Sequence, residues 1–114
     1  MKKEFLRACS VAELEEKKRY RFMVNDVTDI ALFKVGGKIY AVDNVCPHNH
    51  TPKMHLGYIE DTHILCPIHF FKFSLVTGKQ TGEIGCTLPT YEVKIEGDDV
   101  FVEKPNDKFF DFEF

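Results

Sequence analysis

Residues 30–42, Ile-Ala-Leu-Phe-Lys-Val-Gly-Gly-Lys-Ile-Tyr-Ala-Val, indicate the fold more clearly than any other part of this 114-residue chain. They form two runs of strand-forming residues on either side of a two-glycine loop, which is the pattern of a β-hairpin. Residues 90–95 alternate apolar with polar side chains and, with residues 100–102, predict a second hairpin around a turn at residues 96–99. The chain is therefore expected to be all-β and antiparallel.

Helix is expected at one place only. Ser10 and Glu13 have the spacing of a capping box, but residues 19–24 already have the composition of a strand, so at most two helical turns fit between them. With 44% hydrophobic residues and no apolar run approaching the roughly 20 residues of a membrane span, we expect one globular domain, residues 1–114. The N-terminal residues lack the apolar core of a secretory signal, which predicts a cytoplasmic protein with no membrane partner.

Most of the histidines and cysteines lie between the two hairpins, in residues 43–85. Cys46-Pro-His48 is followed, after seventeen residues, by Cys66-Pro-Ile-His69. These four residues suit a tetrahedral Cys₂His₂ zinc site, although zinc ligands usually come as Cys-Cys and His-His pairs. Here each loop offers one thiolate and one imidazole. Mixed pairs suit a two-iron cluster in which both loops give a cysteine to one iron and a histidine to the other.

On these motifs the chain resembles the Rieske-type [2Fe-2S] proteins, whose signature is Cys-x-His followed by Cys-x-x-His. The sequences Ile-Tyr-Ala-Val at residues 39–42, Gly-Tyr-Ile-Glu at 57–60, Phe73 and Thr77-Gly78 also match, so the resemblance covers about residues 5–104. It implies a Rieske-like antiparallel β-sandwich or barrel with a small cluster-binding subdomain. The implied division is a scaffold at about 4–42 and 86–104, a subdomain at 43–85 and a C-terminal tail at 105–114.

The resemblance also implies the cofactor and its ligands. The cofactor is one Rieske-type [2Fe-2S] cluster, with Cys46 and Cys66 on the inner iron. His48 and His69 then hold the outer iron near the surface. Two thiolates and two neutral imidazoles leave the oxidised centre close to neutral, which favours reduction relative to a cluster with four thiolates.

Four further positions predict a low reduction potential. High-potential members of the family carry a disulfide between the ligand loops, at the positions of Thr51 and Ile68 here. They also place Ser and Tyr hydroxyls beside the cluster at the positions of Phe71 and Phe73, which have no hydrogen to donate. We therefore expect a midpoint potential near −150 mV in order of magnitude, the low end of the Rieske range.

The remaining chemistry-bearing residues are expected to be incidental. His50, His55 and His63 are predicted to be solvent-exposed loop histidines, and Cys9 and Cys86 to be buried thiols. The segment Phe-Phe-Asp-Phe-Glu-Phe at residues 109–114 is predicted to pack on its own domain.

The resemblance implies a small one-electron carrier, the ferredoxin component of an oxygenase system, rather than an enzyme. Its protein partners are then a reductase as donor and an oxygenase as acceptor. Nucleic acid is not an expected partner, because the net charge is −3 and residues 83–114 carry nine acids against three lysines. Two alternatives are the small subunit of an NADH-dependent nitrite reductase and, in a different class, a Cys₂His₂ zinc-binding interaction module.

Overall fold

The computed structural model describes residues 4–25, 28–47, 51–68, 71–81 and 87–104. These residues contain one α-helix, α1, and a 3₁₀ turn, and the rest of their regular structure is β-strand. The bounds are β1 Phe5–Ser10, α1 Val11–Lys17, β2 Arg19–Met23, β3 Asp29–Val35, β4 Lys38–Asp43, the 3₁₀ turn Met54–Leu56, β5 Tyr58–Glu60, β6 His63–Leu65, β7 Lys72–Ser74, β8 Thr90–Tyr91, β9 Val93–Glu96 and β10 Asp99–Glu103.

The strands form three antiparallel sheets. The first sheet has the order β1-β10-β9, the central sheet the order β2-β3-β4-β8, and the third sheet the order β5-β6-β7. The third sheet is built entirely from residues 58–74, whereas the first and central sheets use residues from both ends of the chain. This arrangement confirms the predicted all-β, antiparallel fold with little helix.

Strand β3 lies at the centre of the molecule, with both of its faces covered. Five successive residues from Asp29 to Phe33 are buried, which explains why this strand reads as a continuous apolar run rather than as an alternating one. Ala31 and Phe33 face the third sheet, and Ile30 and Leu32 face the first sheet.

Two separate apolar cores lie on the two sides of the central sheet. The core toward the third sheet, here called the thiol core, has these buried members: Ala31, Phe33, Val42, Cys46, Met54, Ile64, Cys66, Phe73, Leu75 and Leu88. The core toward the first sheet, here called the scaffold core, consists of Ala8, Cys9, Leu14, Ile30, Leu32, Ala41, Val100 and Val102. The sheet between them gives the thiol core a rigid wall.

The predicted β3–β4 hairpin and the short helix are both confirmed. Gly36 and Gly37 have φ angles of +58° and +82°, a conformation that glycine adopts without strain. In α1, the Ser10 hydroxyl accepts the Glu13 backbone N–H, and the Glu13 carboxylate accepts the Ser10 N–H, so the capping box is complete.

The second predicted hairpin is only partly right. Strands β9 and β10 pair as predicted, but the expected strand at residues 90–95 is two strands in different sheets. Residues 90–91 pair with β4 in the central sheet, and residues 93–96 pair with β10 in the first sheet. At the crossing, the Glu92 N–H donates to the Glu103 carboxylate and the Glu103 N–H to the Glu92 carbonyl.

Strand β1 was not predicted, because its sequence lacks alternation. A bulge between Arg7 and Cys9 shifts the register of its pairing with β10. Ala8 and Cys9 consequently both face the scaffold core, and such a pair of neighbours hides the period of two. Among the described residues, no helix has the length and apolar character needed to span a bilayer.

Candidate metal centre

Cys46 and Cys66 come together in the thiol core. Both thiols are fully buried and neither is part of a disulfide. Cys46 lies three residues beyond the end of β4, and Cys66 immediately follows β6. The central and third sheets thus each deliver one cysteine to the same apolar interior.

The two loops that begin at these cysteines close in the same way. The Cys46 N–H donates to the Thr51 carbonyl at 3.1 Å, and the Cys66 N–H donates to the Phe71 carbonyl at 2.9 Å. Each bond joins residue i to residue i+5, so each cysteine begins a loop of six residues whose two ends are hydrogen-bonded to each other. The sequence places His48 and His50 inside the first loop and His69 inside the second.

His48 and His69 lie outside the described residues. The structure therefore brings together the two predicted cysteines and says nothing about the two predicted histidines. Within the described ranges, no group of three or more His, Cys, Asp or Glu side chains is close enough to hold a metal ion.

Two phenylalanines belong to the same core as the buried thiols or pack against it. Phe73 is fully buried in the thiol core, and Phe71 packs against the same core at the end of the second loop. Neither ring can donate a hydrogen bond to a sulfur atom. The expected low potential rests on this property of the two rings, since donors to the sulfurs raise the potential, and it stays a prediction.

Arg19 ties the segment after the first loop to the central sheet. Its guanidinium donates to the carbonyl oxygens of His55 and Gly57 at 2.9 Å and 2.8 Å. The same group lies over the Phe33 ring, 5.5 Å from its centroid. One side chain of β2 therefore binds the 3₁₀ turn and covers the wall of the thiol core. Its role could not be predicted, because these contacts join residues far apart in the sequence.

The prediction of exposed loop histidines is wrong at two positions. His55 lies in the 3₁₀ turn and His63 in strand β6, and both are partly buried. Burial, together with the neighbouring Arg21, lowers the pKa of His55. Both are partly buried because the segment between the loops folds into a 3₁₀ turn and a sheet rather than an open loop.

Of the other residues that the sequence predicts to be incidental, Cys9 lies within the described part of the chain. Cys9 is buried in the scaffold core, as predicted, and burial raises the pKa of its thiol to about 11. Cys86, His50 and the phenylalanine-rich residues 109–114 lie outside the described residues.

Groups at the end of β4 also have pKa values altered by burial. Burial raises the pKa of Asp43, although its carboxylate accepts the Val45 N–H. The pKa of Tyr91, on the neighbouring strand β8, is raised to about 12 by burial and by the charge of Asp43. Burial therefore opposes ionisation of both side chains.

The donor set and its surroundings fit a [2Fe-2S] group. Two cysteines supply thiolate sulfur, the ligand type found in iron–sulfur centres. Their burial among apolar side chains excludes water, and the matching loop closures hold both cysteines at fixed ends. The sequence places imidazoles in both loops, so a set of two sulfur and two nitrogen donors is available from these two segments.

Comparison with known proteins gives the family. The model of the Rieske-like [2Fe-2S] domain matches residues 4–103, which is most of the chain. This protein therefore belongs to the Rieske-like [2Fe-2S] domain family, and its cofactor is one Rieske-type [2Fe-2S] cluster.

The chain is also similar to individual proteins of known name or structure. The chain is 41% identical over 101 residues, 86% of its length, to the 3-phenylpropionate/cinnamic acid dioxygenase ferredoxin subunit of Escherichia coli (strain K12), covering 92% of that protein. Among solved structures, it is similar to the Sphingomonas yanoikuyae B1 ferredoxin with a TM-score of 0.77 and 28% identity, covering 90% of this chain and all of that one. A Mycobacterium tuberculosis protein assigned as an NADH-dependent nitrite reductase small subunit has a TM-score of 0.83 at 21% identity, with coverage of 94% and 100%.

Proposed function

We propose that this chain is a one-electron carrier that receives an electron from a reductase and passes it to a ring-hydroxylating oxygenase. The observation that carries the proposal is the 41% identity, over nearly the whole length of both proteins, with a dioxygenase ferredoxin subunit. A chain of this kind is an electron-transfer component and not itself the oxygenase. When bound, a [2Fe-2S] cluster supplies a site that takes up and releases a single electron.

We infer the ligands residue by residue. Cys46 and Cys66 hold the inner iron, which is supported by their complete burial in one core. His48 and His69, two and three residues further along the same loops, hold the outer iron. The closing bonds from the Cys46 and Cys66 N–H groups keep each loop in shape, and the phenylalanine-lined core keeps water from the sulfurs.

We assign the cluster-binding subdomain to residues 43–85. Support comes from the third sheet, which lies wholly within this range, and from the thiol core that it shares with the central sheet. Residues 4–42 and 86–104 then form the scaffold, and residues 105–114 the tail. A cytoplasmic location is part of the proposal, because cysteines that serve as ligands are typical of a reducing compartment.

The nitrite reductase alternative has less support. At 21% identity, the similarity to the M. tuberculosis protein concerns the fold alone. The zinc-module alternative is disfavoured by membership of an iron–sulfur family. The sequence motifs that separate these possibilities, four intact ligand positions with Cys and His mixed in each loop, favour the oxygenase-linked carrier.

Reconstitution tests the proposed function. The chain is reduced with dithionite, freed of excess reductant and mixed with the oxygenase component of the E. coli 3-phenylpropionate system under anaerobic conditions. We expect rapid reoxidation of the chain, followed with an electrode or by its visible absorbance, and product formation when the reductase, NADH and oxygen are supplied. A chain that holds its cluster but neither reoxidises nor supports turnover with this or another ring-hydroxylating oxygenase contradicts the proposal.

A further inference from the structure

The two ligand loops differ in what holds their ends together. The loop at residues 66–71 joins strands β6 and β7, and Leu65 pairs with Lys72 directly outside it. The loop at residues 46–51 follows β4, whose partners are β3 and β8. Residues 52–56, which leave this loop, belong to no strand. A strand ladder therefore closes the second loop but not the first.

Asn44 makes the connections that a ladder would make at the first loop. Its side-chain nitrogen donates to the Pro52 carbonyl at 3.1 Å, and its side-chain oxygen accepts the His55 backbone N–H at 2.6 Å. Its own carbonyl accepts the Met54 N–H at 3.0 Å. Nδ1 of His55 lies 3.1 Å from the same side-chain oxygen, a hydrogen bond when Nδ1 carries the proton. One residue thus bonds three residues of the departing segment.

The same residue is anchored to the central sheet. The Asn44 N–H donates to the Asp29 carbonyl of β3 at 2.8 Å. In turn, the Asp29 carboxylate accepts hydrogen bonds from two nitrogens of Arg21 on β2, the shortest at 2.7 Å. Asn44 therefore links strands β2, β3 and β4 of the central sheet to the loop that begins two residues later at Cys46.

Burial makes this arrangement specific to asparagine. Asn44 is fully buried, so its amide must find partners within the protein, and both of its side-chain atoms do. An apolar residue of the same size would leave the Pro52 carbonyl and the His55 N–H without their partner, which is costly inside a protein. An aspartate would keep the acceptor for His55 but could not, when ionised, donate to Pro52.

We propose that Asn44 is a positioning residue for the iron–sulfur centre: it fastens the two ends of the first ligand loop to each other and to the central sheet. The inference rests on the proposed role of Cys46 and His48 as ligands. Asn44, which lies outside the ligand motif, holds the ends of the first loop as the β6–β7 pairing holds the ends of the second loop.

The test compares the loaded wild-type protein with Asn44→Leu and with Val100→Ala. Val100 is fully buried in the scaffold core, on the other side of the central sheet, so this control lowers stability without touching the first loop. Three quantities are measured on each protein: amide hydrogen exchange of peptides covering residues 44–56 and 63–74, the midpoint potential, and the electron paramagnetic resonance spectrum of the reduced state.

For Asn44→Leu we expect exchange at residues 44–56 to be at least about tenfold faster than in the wild type, from the loss of two buried hydrogen bonds. Exchange at residues 63–74 should change much less, and both the potential and the resonance spectrum should shift. Val100→Ala should keep the wild-type potential and spectrum. An Asn44→Leu protein with wild-type exchange at 44–56, or with wild-type potential and spectrum, overturns the inference.

Asn44→Asp, nearly the same shape as the wild-type residue, carries the same measurements if the leucine variant does not fold or take up iron. It should show faster exchange at residues 44–56, and wild-type exchange there overturns the inference. If the wild-type protein itself holds no iron–sulfur centre, the proposed function fails. The exchange comparison on the metal-free chains still decides whether Asn44 fastens the loop.

Discussion

Gly78 offers a quantitative test of how the thiol core is closed. It lies in the turn after β7, with φ of +79°, and its carbonyl accepts the Leu88 N–H at 2.7 Å. A Cβ atom at this position would collide with the Leu88 carbonyl oxygen and lie 3.2 Å from Cγ2 of Thr90. Gly97 has a similar φ of +62° but open space around it. Alanine at the two sites therefore shares the backbone strain and differs in the collision.

The size of the difference follows from these contacts. The left-handed conformation costs alanine about 1–2 kcal/mol at either glycine. At Gly78, relieving the collision should also weaken the bond to Leu88, at about 1 kcal/mol. Displacing a fully buried side chain of the thiol core adds about 1–3 kcal/mol. The loss of unfolding free energy in Gly78→Ala should thus exceed the loss in Gly97→Ala by about 2–4 kcal/mol. For a domain of this size, that difference lowers the melting temperature by about a further 8–16 °C.

Thermal unfolding of both variants measures this difference, with circular dichroism following the strands and visible absorbance following the iron–sulfur centre. We expect Gly78→Ala to lose its visible absorbance at a much lower temperature than Gly97→Ala. Equal melting temperatures for the two variants would show that the approach of Gly78 to Leu88 is not a constraint on the core, and would refute the reasoning.

Three further predictions concern the potential, the buried thiol and the arginine anchor. The midpoint potential of the wild-type protein should lie near −150 mV in order of magnitude. Phe71→Ser should raise this potential, because serine places a hydroxyl donor near the sulfurs. A redox titration that gives a wild-type midpoint above about +100 mV, or no rise in the variant, contradicts this prediction. Since burial raises the pKa of Cys9 to about 11, the stability that comes from keeping this thiol neutral is present below about pH 9 and is lost as the pH rises toward 11. Denaturation curves should therefore show a smaller loss of stability over that interval in Cys9→Ala than in the wild type, and equal slopes would count against the shift. Arg19→Ala should lower the free energy of unfolding by about 1–2 kcal/mol, because Nη1 of the guanidinium donates to the carbonyls of both His55 and Gly57 and alanine replaces neither hydrogen bond; an unchanged value would mean that these bonds do not anchor the turn.

The sequence was sufficient to predict the elements whose interacting residues lie close together in the chain. Residues 30–42 form the predicted hairpin because strand-forming residues flank two glycines that adopt positive φ. Ser10 and Glu13 form the predicted capping box because both partners lie within one turn. Cys46 and Cys66 were identified as site residues from their spacing with proline and histidine, and the structure buries both in one core.

The predictions that were wrong or missed depend on contacts between residues far apart in the sequence. Nothing within residues 90–95 indicates that the first two pair with β4 and the last three with β10. The bulge in β1 depends on its partner strand, and the burial of His55 depends on its approach to Asn44. Asn44 itself is an ordinary residue after a strand until the chain brings residues 52–55 alongside it.

Metal and sulfide analysis of the purified protein, together with electron paramagnetic resonance after dithionite reduction, tests the central claim most directly. The account predicts two iron and two acid-labile sulfide per chain and a Rieske-type signal. It also predicts loss of that signal in Cys46→Ser and Cys66→Ser, and its retention in Cys9→Ala. A colourless protein that holds one zinc ion and no iron, or a Rieske signal that survives loss of Cys46 or Cys66, would contradict it.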